Sequence, residues 1–105
     1  MATGRIGTAD LSAATNTTIY TCPSNHYTVA SVSMTNRGNV PVLVRLAVCD
    51  TSTPGLDEYL EYDVELLPKN VLERTGIILG ASQLIVAYAS TTGISVVAFG
   101  IETTA

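Results

Sequence analysis

The chain has no tryptophan, one histidine, one lysine, one glutamine and two cysteines among 105 residues. Each scarcity removes a class of function. A hydrolytic triad needs a base, and His26 is the sole imidazole. It stands in the turn sequence Pro23-Ser24-Asn25-His26 with no Gly-x-Ser-x-Gly elbow beside it, so it reads as a turn residue and no enzyme is expected. Two isolated cysteines do not make a disulfide scaffold; Cys22 and Cys49 read as free, partly buried thiols of a reducing compartment. Charged residues make up only 13% of the chain, with five bases scattered along it, so no nucleic acid is expected as a partner. No run approaches the roughly 18 apolar residues of a spanning helix. No apolar stretch follows the first charge in Met1-Ala2-Thr3-Gly4-Arg5-Ile6-Gly7, so neither a membrane nor a secretory leader is expected. Asn16-Thr17-Thr18 fits the glycosylation pattern but is inert without secretion.

What is present is β-forming material. Hydrophobic residues reach 47%, the formal net charge is −4, and fifteen threonines and eight serines fill much of the remainder. β-Branched residues suit the pleated, half-buried surface of a strand. A domain of this size buries roughly 65% of its unfolded surface, enough for one core. The organisation expected is an arm or edge segment over residues 1–17 and a single β-sandwich over 18–105, with the polar ends Met1 to Thr8 and Thr103 to Ala105 acting as arms that order on docking.

Turn signals recur at Pro23-Ser24-Asn25, Asn36-Arg37-Gly38-Asn39, Ser52-Thr53-Pro54-Gly55, Pro68-Lys69-Asn70, Gly80-Ala81-Ser82 and Thr91-Thr92-Gly93. Strand-length runs lie between them: 18–21, 27–36, 42–49, 59–66, 71–79, 83–90 and 93–103, with another near 5–8. About eight strands at this spacing predict an all-β, antiparallel, jelly-roll-like sandwich. The clearest alternation is Tyr59 to Leu66, with Leu60, Tyr62, Val64 and Leu66 on one face and Glu61, Asp63 and Glu65 on the other. Val42, Val44, Leu46 and Val48 share one side of their strand; Ala30, Val32 and Met34 share a side of theirs; Val97, Phe99 and Ile101 fall together. Ala9 to Thr15 reads as a loop or one turn capped by Asp10.

Candidate chemistry is confined to surfaces. Seven of the nine acids lie between Asp50 and Glu73. Asp57, Glu58, Tyr59, Glu61, Asp63 and Glu65 are the candidate interaction surface, a solvated negative face able to dock a basic partner. The spacing of a calcium loop and of a phosphate loop is missing, so no metal or cofactor is expected. The tyrosines read as sheet residues with wet hydroxyls. A carbohydrate platform on Tyr59, Tyr62 and the acidic loop is the alternative binding function. Leu43, Ala47, Ile85, Ala87 and Ala89 are apolar on the side expected to face away from the core, which predicts burial against another subunit.

A resemblance sharpens this. Asn16-Thr17-Thr18-Ile19-Tyr20-Thr21-Cys22-Pro23, then Val32-Ser33-Met34-Thr35-Asn36-Arg37-Gly38, then Leu60-Glu61-Tyr62-Asp63-Val64, Leu84-Ile85-Val86-Ala87-Tyr88-Ala89-Ser90 and Val97-Ala98-Phe99-Gly100-Ile101-Glu102 follow one another in an order similar to small virion structural proteins of tailed bacteriophages, cyanophages included. Cys22 stands where an aliphatic residue is more usual. The resemblance implies a non-enzymatic capsid decoration or cement protein, with a tail, baseplate or fibre-associated subunit as the alternative. It implies a homotrimer in contact with the major capsid protein or other virion proteins, located in the virion after assembly in the host cytoplasm. Asn36, Arg37 and Gly38 are then a structural hairpin turn, with positive φ available to Gly38.

Overall fold

A computed structural model describes residues 3–105. Its eight strands are β1 (Thr3–Asp10), β2 (Thr17–Thr21), β3 (His26–Asn36), β4 (Val42–Cys49), β5 (Tyr59–Leu66), β6 (Val71–Leu79), β7 (Leu84–Ala89) and β8 (Ile94–Thr104), with a single 3₁₀ turn at Leu56–Glu58 among the described residues. One four-stranded sheet has the order β1-β8-β3-β6 and the other β2-β7-β4-β5. All strand pairs are antiparallel. The chain crosses from one sheet to the other at every connection except that between β4 and β5, which pair in one sheet, and this is the jelly roll. The strands expected from the turn signals are all present, with ends moved by at most two residues.

The core is aliphatic. Met34, Leu46, Leu79, Ile85, Ile94 and Val96 are fully buried between the sheets. Ala30, Val32 and Met34 point inward as expected, and so do Val42, Val44 and Leu46, with Val48 packed on the same core. One expectation about facing fails in β7. Ile85, Ala87 and Ala89 are core residues of the inner face, whereas Val86 and Tyr88 point outward; a uniformly apolar strand carries no alternation from which its inner face could be read. In β8 the inner row is Ile94, Val96 and Ala98, and Val97, Phe99 and Ile101 fall together as expected, on the outer side.

The chain's ends also differ from expectation. Thr3 to Asp10 pair along β8, and Ile6 and Ala9 pack against the core, so the segment is an edge strand and not an arm. Thr103 and Thr104 pair with Tyr27 and His26, leaving Ala105 beyond the last strand, its N–H bonded to the Asn25 carbonyl. Met1 and Ala2 lie outside the described residues. The Ala9 to Thr15 segment divides into the end of β1 and a loop whose Leu11 is buried in the core.

Asn36-Arg37-Gly38 is a turn, but not a hairpin. It joins β3 in one sheet to β4 in the other, and Gly38 is not among the residues of positive φ. Asn36 is fully buried. Its Nδ2 donates to the carbonyls of Val40 at 2.9 Å and Leu66 at 3.0 Å, and its Oδ1 accepts from the Gly38 N–H at 2.9 Å. The corner is therefore held by a side chain, which frees Gly38 from any special backbone conformation.

The central pairings β3–β8 and β4–β7 run without a break in register. Every outer strand of the two sheets is bulged: β1 between Arg5 and Gly7, β2 between Thr18 and Tyr20, β5 twice, and β6 opposite Ala30 to Val32. Gly76 in β6 and Asp63 in β5 take positive φ there. Bulges twist and interrupt an edge, so a second chain finds no straight ladder to extend.

Candidate interaction surfaces

The bulges in β5 rearrange the predicted acidic face. Glu61 pairs with the inward residue Leu46, and Val64 pairs with Val44, leaving Tyr62 and Asp63 together opposite the outward residue Arg45. Tyr62, expected inside, is half exposed. Glu61, expected outside, turns to the gap between the sheets and bonds Arg74 of β6 at 2.8 Å. Strict alternation gives the wrong face for both because each inserted residue reverses the pleat.

The outer face of the β2-β7-β4-β5 sheet gains an ordered centre from this. Arg45 donates from Nε to one Asp63 carboxylate oxygen at 2.6 Å and from Nη2 to the other at 3.3 Å. Its guanidinium carbon lies 4.3 Å from the ring centroid of Tyr62 and 4.3 Å from that of Tyr88, directly across on β7. Tyr59 meets Tyr62 edge to face with centroids 4.8 Å apart. A planar cation held by a two-point ion pair and stacked on two rings has little rotamer freedom left. Asp63 raises the Arg45 pKa further, chiefly through its hydrogen bond, so the cation persists at any working pH. Beside this centre Ala47, Cys49 and Val86 form a small outer cluster under Tyr59 and Leu84. Burial, then the charges of Glu58 and Asp50, push the Cys49 thiol pKa up, which makes Cys49 a poor nucleophile.

Of the six residues singled out from the sequence, Tyr59 and Asp63 belong to this centre. Glu65 is exposed on the same face opposite Leu43, Asp57 is exposed in the 3₁₀ turn that precedes β5, and Glu58 accepts the Gly55 N–H at 2.7 Å, pinning that turn. Glu61 stands apart at the sheet edge. Arg45 and Tyr88 were not anticipated as partners, because only the pairing of β4 with both β5 and β7 brings them beside Tyr62.

The opposite outer face, on β1-β8-β3-β6, is apolar. Ile101, Val29 and Ile78 are direct cross-strand neighbours in one row, flanked by Phe99 and Tyr27. These five side chains are between 42% and 67% exposed. Their neighbours Ser31, Ser33 and Thr103 are neutral.

Between the sheets lies one buried polar group of interest. Tyr20 donates its hydroxyl proton to Glu102, and the same hydroxyl lies 2.9 Å from the Thr28 hydroxyl. Thr28 in turn approaches the Cys22 sulfur at 3.3 Å. Burial and the bond to Glu102 push the Tyr20 pKa up to about 12 from its ordinary 10.0. A raised folded-state pKa contributes stability that is complete below pH 10 and lost as pH climbs through 12. We expect thermal melting to show a loss of about 2 kcal/mol across that window, and Tyr20→Phe to remove that part of the alkaline decline while lowering stability at neutral pH.

His26 donates Nδ1–H to the Ser24 carbonyl at 2.8 Å, within the turn that opens β3. Among the described residues no group of three or more His, Cys, Asp or Glu side chains is placed to hold a metal. A cleft of about 330 Å³ opens beside Leu60, Arg74 and Ile77 at the gap between β5 and β6; its one cation, Arg74, is the partner of Glu61. Comparison with protein families, curated proteins and solved structures finds no match to this chain.

Proposed function

We propose that the protein is a non-enzymatic structural subunit of a phage particle, a capsid decoration or cement protein whose activity is contact with the major capsid protein. The observation that carries this reading is the Arg45-centred surface. A locked Arg flanked by Tyr59, Tyr62 and Tyr88, with Glu65 exposed on the same face, has the composition of a protein–protein hot spot with a polar rim. The jelly roll supports the same reading, being an architecture of capsid domains, although fold alone does not assign function. The sequence resemblance to virion proteins points the same way.

The sugar-binding alternative is weakened by the same geometry. A sugar stacks on an open aromatic face, whereas the Arg45 guanidinium already covers one face each of Tyr62 and Tyr88. Tail or baseplate placement uses the same surface on a different shell protein.

The reading is tested by adding the protein to purified empty capsids and following co-sedimentation and heat resistance. Binding only the assembled shell stabilises it by mass action. Arg45→Ala is expected to weaken capsid binding about tenfold or more, as truncation of a central hot-spot residue does, while circular dichroism shows the sandwich intact. Retention on host polysaccharide with indifference to capsids sinks the proposal.

A further inference from the structure

The second outer face points to a different partner. We infer that the β1-β8-β3-β6 face is the contact between two copies of this chain, stacked sheet on sheet about a two-fold axis parallel to the strands and passing between β8 and β3. This goes beyond the capsid contact, which uses the other sheet.

Three observations select a second copy. The first is charge. The chain is acidic, at −4, and two copies cannot approach by the face carrying Asp63 and Glu65 without juxtaposing like charges. The rims of the apolar face hold Arg5 opposite Phe99 and Asp10 opposite Ser95 on the outer strand β1, Asp10 being neutralised by its ion pair with Arg37, and Glu73 opposite Ser33 on the outer strand β6. The ion pairs among the described residues are Arg37–Asp10, Arg45–Asp63 and Arg74–Glu61, so neither Arg5 nor Glu73 has an ion-pair partner among them. The proposed axis exchanges β1 with β6 and β8 with β3. Phe99 is level with Ser31 and Val97 with Ser33, so the two rims differ by two residues, about 7 Å along the strands. The rotation sets Arg5 of each copy over the Glu73 rim of the other, within reach of a long side chain.

The second observation is apolar fit. The same rotation sets Val29 of one copy against Ile101 of the other, twice, and Ile78 against the Thr3 end of the facing row. The contact is self-complementary, as a two-fold interface must be.

The third is the state of the edges. Bulges on β1, β2, β5 and β6 close the alternative by which β-proteins self-associate, strand addition. Face stacking is the route left open. Four strands about 4.8 Å apart and up to 11 residues long offer roughly 600 Å² per copy. That lies near the ~800 Å² per partner of a standard interface and below that of an obligate one, so the dimer is reversible.

Analytical ultracentrifugation of the full chain over a concentration series tests this without capsids. A monomer–dimer equilibrium is expected, with Ile101→Lys and, separately, Ile78→Lys shifting it at least about tenfold toward monomer while circular dichroism and melting stay those of the parent. Arg5→Glu and Glu73→Arg are each expected to weaken dimerisation, and the double charge swap to restore it. Rescue by the swap is peculiar to this axis. A monomer at every concentration overturns the inference, as does a trimer, or a dimer that the charge reversals leave unchanged. Capsid binding by the Ile101→Lys monomer is expected to persist per molecule. Loss of self-association with capsid binding retained therefore concerns this face alone, and loss of capsid binding by Arg45→Ala alone concerns the other.

Discussion

Replacing Asn36 by alanine is expected to lower the stability of the protein by about 3–5 kcal/mol, a large fraction of what a small domain has. Nothing in the volume of the side chain requires this. Its carboxamide is fully buried and makes three hydrogen bonds, to the carbonyls of Val40 and Leu66 and from the N–H of Gly38. Its own backbone is used as well, the N–H bonding the Asn70 carbonyl and the carbonyl accepting from Lys69. Alanine keeps the backbone pair and strands three polar groups at a corner where the chain passes between sheets. Each stranded group costs roughly 1–3 kcal/mol unless water reaches it. Asn36→Asp separates this account from a loss of shape. It keeps the acceptor for Gly38 but turns a carboxylate oxygen toward two carbonyls, so it is expected to be no better than alanine. Equilibrium urea unfolding of the three proteins decides the matter; an aspartate variant as stable as the parent refutes it.

Gly7→Ala is the second large effect, expected at about 3 kcal/mol, the upper end of the range for overpacking. A Cβ at Gly7 would lie far inside the van der Waals envelope of the Ile19 carbonyl oxygen and against the Ile19 side chain. The obstacle is backbone, which cannot rotate aside. β1 and β2 stand in different sheets and meet here, closing one end of the sandwich. To make room β1 must lift from β2, and Ile6 and Ala9 lose part of their packing on the core. Gly4→Ala is the control: a Cβ there meets nothing within 4 Å, and the cost is confined to its positive φ of 100°. Hydrogen exchange should show loss of protection concentrated in β1 for Gly7→Ala. Uniform loss across both sheets would contradict the local account.

The extent of the fold legible in the sequence follows from where its information is local. Turn residues and strand-length runs are local, and they place eight strands in order. Facing is local only where polar and apolar residues alternate on an unbulged strand. β3 meets that condition, with Ala30, Val32 and Met34 set against Ser31, Ser33 and Thr35, and reads correctly. Leu84 to Ala89 has no alternation to read. Tyr59 to Leu66 has the clearest alternation in the chain and is still misread, because inserted residues at Leu60 and beside Asp63 move Glu61 in and Tyr62 out. A bulge is chosen by the partner strand, and the partner strand is distant in sequence. The candidate surface suffers for the same reason. Tyr59 and Asp63 are recoverable from composition, but Arg45 and Tyr88 join them only through the β5-β4-β7 order. The apolar outer row of Val29, Ile78 and Ile101 is likewise a product of register between three strands.

By itself, then, the amino-acid order determined an all-β chain of eight strands with an aliphatic interior, because β-branched content, turn residues and run length act within a few residues of one another. Sheet order, the faces of β5 and β7, the corner held by Asn36 and the closeness of Gly7 to Ile19 were decided only in the folded state. Each depends on a contact between segments tens of residues apart, and the energy of such a contact exists only once the two sheets have come together.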